Sequence, residues 1–151
     1  MIRILAVGKI KEPALTALID QYLKRINRFT KINCLEVTDV AESKDDYSIK
    51  AESEALLKRL KTSDYVVLLD LSGILLNSLT LACELEKWIS QSGELTFVIG
   101  GSRGVDQRVK QRADFVWQLS PLTFPHQIAR LLLVEQLYRG YKINTKQSYH
   151  K

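Results

Sequence analysis

Cysteine is scarce in this 151-residue chain: Cys34 and Cys83 are its two, far apart, with no CxxC and no histidine nearby. That excludes a disulfide framework and argues against a zinc site, since both need clustered or paired ligands. Two reduced, buried thiols in a cytosolic protein are expected. Proline is limited to three residues and glycine to seven, and no linker, low-complexity tract or repeat divides the chain. No apolar run approaches the length of a membrane span. The opening MIRILAVG is too short an apolar run for a signal peptide, and no small-residue cleavage site follows it. A cytoplasmic location is expected, with one domain large enough to bury a sizeable core.

Charge is present in both signs but unevenly placed. Residues 1–100 carry 13 Lys and Arg against 14 Asp and Glu, and residues 101–151 carry 9 against 3. A basic third beside a neutral remainder points to a polyanionic partner such as nucleic acid, or to a solvated surface with chance asymmetry. Lys24, Arg25 and Arg28 cluster at the end of a helix, where cations suit the helix dipole as well as they suit RNA.

Taken in order, the chain alternates strand and helix. Ile2–Val7 is a nearly continuous apolar run, the mark of a central parallel strand. Glu12-Pro13 opens a helix to about Arg28, with Leu15, Leu18, Ile19, Tyr22, Leu23 and Ile26 on one face. Ile32–Val37 is a second strand. Residues 40–47 are polar and read as a loop. Asp45 and Asp46 are adjacent there, but no third ligand is in reach, so no metal is expected. A helix spans about Ser48–Lys61. Val66–Asp70 is a buried strand, and Leu71-Ser72-Gly73 turns the chain. A helix over about Leu79–Gln91 places Leu81, Leu85, Trp88 and Ile89 inward, and Gly93 ends it. Leu95–Ile99 is the next strand, and Val105–Arg112 the next helix. This βαβα order with apolar strands predicts an α/β fold with a mostly parallel sheet flanked by helices.

The last third is distinctive. Phe115-Val116-Trp117 forms a strand, and Leu119 closes its apolar run. Ser120-Pro121-Leu122-Thr123-Phe124-Pro125 is a loop, because two prolines in six positions continue neither ladder nor helix. The helix that follows carries Ile128, Leu131, Leu132, Leu133, Val134, Leu137 and Tyr138 on more than one face. Such a helix is buried on several sides or shared with a partner chain. Arg130, Glu135 and Arg139 sit on it, and buried charges there are paired or functional. Arg130 is a candidate partner of Glu135, although a spacing of five is not an ideal helix pair.

Ligands of parallel α/β sheets bind beyond the carboxyl ends of the strands. Three of those ends stand out: Leu69-Asp70, Gly100-Gly101-Ser102-Arg103-Gly104, and Ser120–Pro125. Asp70 suits a ligand hydroxyl or a cap on the next turn equally well. The glycine loop lets backbone approach a ribose or phosphate, but it is neither GxGxxG nor a Walker motif. His126, at a helix start, has a local hydrogen bond or a site role open to it.

VIGGSRG followed by LSPLTFPHQIARLLLVEQLYRGYKI and a tail ending SYHK resembles the SPOUT methyltransferases. Within them the chain is similar to the RlmH family, ribosomal large subunit methyltransferase H, from its ILAVGKIKE opening to Tyr149-His150. The resemblance implies an α/β sheet whose C-terminal segment is threaded into a deep trefoil knot. It implies S-adenosylmethionine held by Leu69, Gly100, Gly101 and Ser120, Pro121, Leu122, Thr123, Phe124 and Pro125. It also implies a homodimer that completes the site across its interface, and a substrate in 23S rRNA of the assembled ribosome, methylated at N3 of a pseudouridine. The variable middle, roughly Asp39–Asp64, is where little function is expected.

The chemistry such an enzyme needs is definable. A sulfonium donor carries an activated methyl, so no metal is required. The nucleophile is a weakly acidic imide nitrogen. It must be aligned with the methyl, a contribution of up to ~7–11 kcal/mol in favourable cases, and the anion left as its proton departs must be stabilised. Arg139 is the candidate for charge beside the uracil oxygens. His150 is the candidate for taking the proton, and Tyr149 is expected to touch the base from a tail, Asn144–Lys151, laid over the cofactor. A noncatalytic RNA-binding module and a Rossmann-type nucleotide-binding oxidoreductase are the alternatives.

Overall fold

The computed structural model describes residues 1–41, 46–91 and 93–149. The elements alternate in the expected order: β1 (Ile2–Val7), α1 (Pro13–Ile26), β2 (Ile32–Val37), α2 (Tyr47–Leu57), β3 (Tyr65–Leu75), α3 (Ser78–Ser90), β4 (Leu95–Ile99), α4 (Gln107–Arg112), β5 (Phe115–Gln118) and α5 (His126–Asn144). The five strands form one sheet in the order β2-β1-β4-β3-β5, and every pairing is parallel. Side chains alternate across it because the strand period is two. Ile4 and Ala6 of β1 join Val67, Phe97 and Trp117 in the core beneath α1, α3 and α5. Leu5 and Val7 join Val66, Leu68 and Val98 beneath α2 and α4.

The first of those cores explains α5. It packs against α1 and α3 as well as the sheet, so Leu133, Val134 and Leu137 are fully buried within one chain. Gly140 lets α5 approach α3 closely; a Cβ there would meet Leu85 Cδ2 at 3.1 Å and Ala82 Cα at 3.8 Å. Asn144 Nδ2 donates to the Ala82 carbonyl at 2.8 Å and fixes the far end. Trp88 of α3 meets Phe97, Phe115 and Trp117 with centroids 6.0, 5.0 and 6.5 Å away. Leu18 and Ile89, expected inward, are 40 and 45% exposed.

Three local expectations are corrected. The chain does not turn at Leu71-Ser72-Gly73; β3 runs on to Leu75, because a register shift between Leu69 and Ile74 lets it rejoin β5 at Trp117 and Gln118. Gly73 permits this by space rather than by φ, since a Cβ there would lie 2.6 Å from the Val116 carbonyl. The helix after the glycine loop starts at Gln107, with Asp106 as its cap accepting from Arg108 N and Val109 N. The helix over residues 48–61 ends at Leu57, and it buries Ser48, Glu52 and Ser53 beside Leu56.

The strand run Ile2–Val7 also hides a charge. Arg3 is buried on β1, pairs with Asp64, and donates to Thr96 Oγ1 at 3.1 and 3.2 Å. This polar group closes the amino-terminal edge of the sheet, opposite the strand ends that face ligands. Among the described residues no helix is long and apolar enough to cross a membrane.

Candidate active site

A cavity of about 780 Å³ opens beyond the carboxyl ends of β3, β4 and β5. Three backbone segments build it. Leu69 to Leu71 come from the bulged part of β3, Ile99 to Gly104 from the turn after β4, and Leu119 to Ala129 from the proline loop and the start of α5. Of the nine residues expected to hold a cofactor, Leu69, Gly100, Gly101, Ser120, Leu122, Thr123, Phe124 and Pro125 line it, and Pro121 does not.

Each segment has a local cause. Gly104 N donates to the Gly101 carbonyl at 3.0 Å, closing a tight turn in which Gly104 has φ +78°. A Cβ at Gly100 would lie 2.8 Å from Val105 Cγ1. At Gly100, Gly101 and Gly104 the cavity wall is therefore bare backbone, where a ligand approaches main-chain groups directly, with Ser102 and Arg103 beside them. Ser120 Oγ accepts from Leu122 N at 3.0 Å and folds the proline loop back. Pro125 caps α5 from outside its first turn, and Leu122 stands 68% exposed at the rim. Apolar walls with a few backbone polar groups suit a flat heteroaromatic ligand such as an adenosine.

Asp70 lines the cavity and is held by local hydrogen bonds. It accepts from Ser72 N at 3.0 Å, from the Ser72 hydroxyl, and from Lys110 Nζ at 3.2 Å. Burial alone raises its carboxyl, but the Ser72 and Lys110 hydrogen bonds outweigh that and hold it below the usual carboxylate range. His126, the first residue of α5, lines the cavity, and a Cβ at Gly8 would sit 3.3 Å from its Nε2.

Arg130 is not the partner of Glu135. It is 2% exposed, pairs with Glu36 of β2, and donates to the Gly8 carbonyl at 2.8 Å. It directly follows Ala129 of the cavity wall, and it ties α5 to the ends of β1 and β2. Glu135 instead holds the predicted catalytic residues together. Its Oε1 accepts from Arg139 at 2.6 Å and from the Tyr149 hydroxyl at 3.1 Å. The Arg139 guanidinium lies 4.9 Å from the Tyr149 ring centre, and Tyr149 packs edge-on to Tyr138 at 4.8 Å. Burial, the Tyr22 hydroxyl and the Glu135 carboxylate all push the Tyr149 phenol above its ordinary value. At neutral pH it is a neutral hydrogen-bond donor, not a base. The signal for Glu135 was in the sequence, since Glu135 and Arg139 have the favourable i,i+4 spacing. His150 lies outside the described residues.

The structure does not bring this cluster to the cavity of the same chain. Ala129 lines the cavity, and Arg139 is ten residues further along α5, ~15 Å at 1.5 Å per residue. Tyr149 packs on α1 and α5, away from the glycine loop.

The family model described as "Predicted SPOUT methyltransferase" matches residues 1–150. The chain belongs to the SPOUT methyltransferase family. Three relatives carry the name ribosomal RNA large subunit methyltransferase H. The one from Ruminiclostridium cellulolyticum is 43% identical over 157 residues, covering 99% of each chain. Those from Caldicellulosiruptor saccharolyticus and Pseudothermotoga lettingae are 40% and 41% identical, covering 100% of both chains and 99% and 98% respectively. A probable methylase family protein from Haemophilus influenzae has a similar fold, with a TM-score of 0.55 at 14% identity over 99% of this chain and 70% of the other. The five-stranded parallel sheet flanked by helices is thus the SPOUT sheet, and membership of the family implies a methyl donor.

Among the described residues of this SPOUT protein, no group of three or more His, Cys, Asp or Glu side chains is placed to hold a metal. The cysteines differ from expectation. Cys34 is part-buried, and burial pushes its thiol up to about 11, with Arg130 pulling against that. Cys83 is exposed on the outer side of α3. Alkylation by iodoacetamide at neutral pH is expected to label Cys83 first and Cys34 only on unfolding, because the thiolate is the nucleophile; mass spectrometry of partial digests checks the order.

Proposed function

We propose that this SPOUT protein transfers the methyl group of S-adenosylmethionine to N3 of a pseudouridine in 23S rRNA of the assembled ribosome. The observation that carries the donor assignment is the cavity: three separate segments converge on it, and eight of the nine residues expected from the sequence line it. Gly100 and Gly101 would hold the donor by backbone, Leu69 and Ser120–Pro125 by enclosing it. The names and full-length similarity of the relatives support rRNA as substrate, as does the basic balance of residues 101–151. The family's C-terminal trefoil knot belongs to the same reading.

The donor, when bound, supplies an activated methyl on a sulfonium. The protein's own tasks are positioning and charge. Arg139, held by Glu135, presents a fixed cation for the oxygens of the uracil ring as its imide loses a proton. Tyr149, its hydroxyl proton held by Glu135, is proposed to touch the base beside it. His150 is proposed to receive the proton.

The ~15 Å between this cluster and the cavity favours a homodimer, in which one chain's cluster serves its partner's cavity. Exposed Leu71, Leu122 and Ile128 at the cavity's margin are apolar surface for such a contact.

The test is methyl transfer from labelled donor to ribosomes that lack the modification, with the product nucleotide mapped. One methyl per ribosome at a pseudouridine N3 is expected, with a free stem-loop a poor substrate because the assembled ribosome supplies most of the recognition surface. Calorimetric preference for NAD over S-adenosylmethionine, or RNA binding with no donor binding, would overturn the reading.

A further inference from the structure

The middle of the chain carries a device for the donor loop. Helix α2 is amphipathic in an unusual sense: its inward face buries Ser48, Glu52 and Ser53. A buried carboxylate is costly unless it is engaged. Glu52 is 6% exposed, and its Oε1 accepts from Val40 N at 2.9 Å. Its other oxygen lies against Gly101: a Cβ built there would overlap Oε2 and lie 3.1 Å from Cδ. Neighbouring contacts run the same way. Ser53, fully buried, accepts from Asp106 N at 2.9 Å; Asp46 pairs with Arg103 at 3.1 Å; Glu54 pairs with Arg108 at 2.8 Å. Four side chains of one helix segment thus engage the glycine turn and the cap of α4.

We infer that Glu52 is a positioning residue for methyl transfer, holding the Gly100–Gly104 backbone in its donor-binding shape from behind the cavity. The exposed pairs contribute little, since surface ion pairs are screened and entropically opposed. Glu52 is different because it is buried, anchored to Val40 and in contact with a residue of the cavity wall. It touches neither donor nor base, so it acts only through Gly101. The absence of a side chain at Gly101 follows from the same contact: its φ is not positive, so space, not backbone strain, requires glycine there.

The inference rests on the donor reading above, and its test separates the two. Hydrogen exchange of ligand-free protein comes first. Glu52→Ala is expected to speed exchange of the amides of residues 100–106 while the sheet stays protected; unchanged exchange there overturns the inference whatever the donor is. Calorimetry with S-adenosylmethionine comes second, with wild-type binding as the control for the donor reading. Glu52→Ala is expected to raise the dissociation constant about tenfold or more, with the kinetic loss falling on KM for the donor rather than on kcat. Glu52→Gln, which keeps the acceptor for Val40 N, restores most of it. Gly101→Ala is expected to weaken binding in the wild-type background, and by about fivefold less when Glu52 is also alanine. Additive effects overturn the inference. If Glu52→Ala does not fold, Gly101→Ala alone decides: donor affinity equal to wild type removes Glu52 from the mechanism.

Discussion

Gly73→Ala is expected to cost about 3 kcal/mol or more, at the top of the range for overpacking, and to take donor binding with it. The added Cβ would lie 2.6 Å from both the carbonyl carbon and oxygen of Val116 and 2.7 Å from the Trp117 carbonyl carbon. These are backbone atoms, so no rotamer change relieves the overlap. The chain has two responses. It separates β3 from β5, giving up the pairing of Ile74 with Trp117 and Leu75 with Gln118, or it shifts register. Either moves Leu69–Leu71 relative to Leu119–Ser120, and both segments are cavity walls. Chemical denaturation and donor calorimetry check the result. A variant as stable as wild type, with unchanged affinity, would show that the β3 bulge has slack that the structure does not display.

Arg139→Ala is expected to lower kcat by about 10²–10³, the loss seen when one preorganised group facing a developing anion is removed. Donor affinity should hold, because Arg139 lies far along α5 from the cavity of its own chain. Arg139 is part-buried, and the Glu135 hydrogen bond, ahead of the opposing burial, raises its pKa above the usual guanidinium value. It therefore stays cationic across the working pH range. Lysine is not an equivalent replacement, since it lacks the planar fork that meets a carboxylate on one side and ring oxygens on the other. Single-turnover kinetics on ribosomes at saturating donor measure the effect. In a dimer that shares its sites, mixing Arg139→Ala chains with chains damaged at Gly101 restores part of the activity, because some mixed dimers carry one intact site. No restoration, with exchange of subunits demonstrated, would place each cluster in the service of its own chain.

Much of this was legible in residue order. Apolar strands between amphipathic helices gave the parallel sheet, and glycines and prolines at strand ends marked the cavity walls. What escaped has a common cause: it depends on contacts between distant segments. Arg3 reads as an interruption in an apolar run, and only the fold brings Asp64 and Thr96 to it. Leu71-Ser72-Gly73 has the composition of a turn, yet β5 arrives to pair beyond it. Arg130 has an acid five residues on, but its partner lies on β2. Residues 39–64 were expected to vary, and that Glu52 and Ser53 lie beside Gly101 and Asp106 is a tertiary fact. Cys83 was expected inside from residue type alone, whereas its place on the outer side of α3 decides its exposure.

Helix α5 has a consequence for how such chains diverge. It spans 19 residues from His126 to Asn144, with Pro125 as its cap, and it carries a cavity wall at its start and the Glu135–Arg139 pair near its end. Inserting or deleting one residue between them would slide the pair ~1.5 Å and swing it about 100° around the axis. Substitutions along this rod are graded in effect, but changes in its length are not. Homologues of different total length should therefore accommodate their gaps in surface loops, and the count of residues from Ala129 to Arg139 should behave as a fixed ruler.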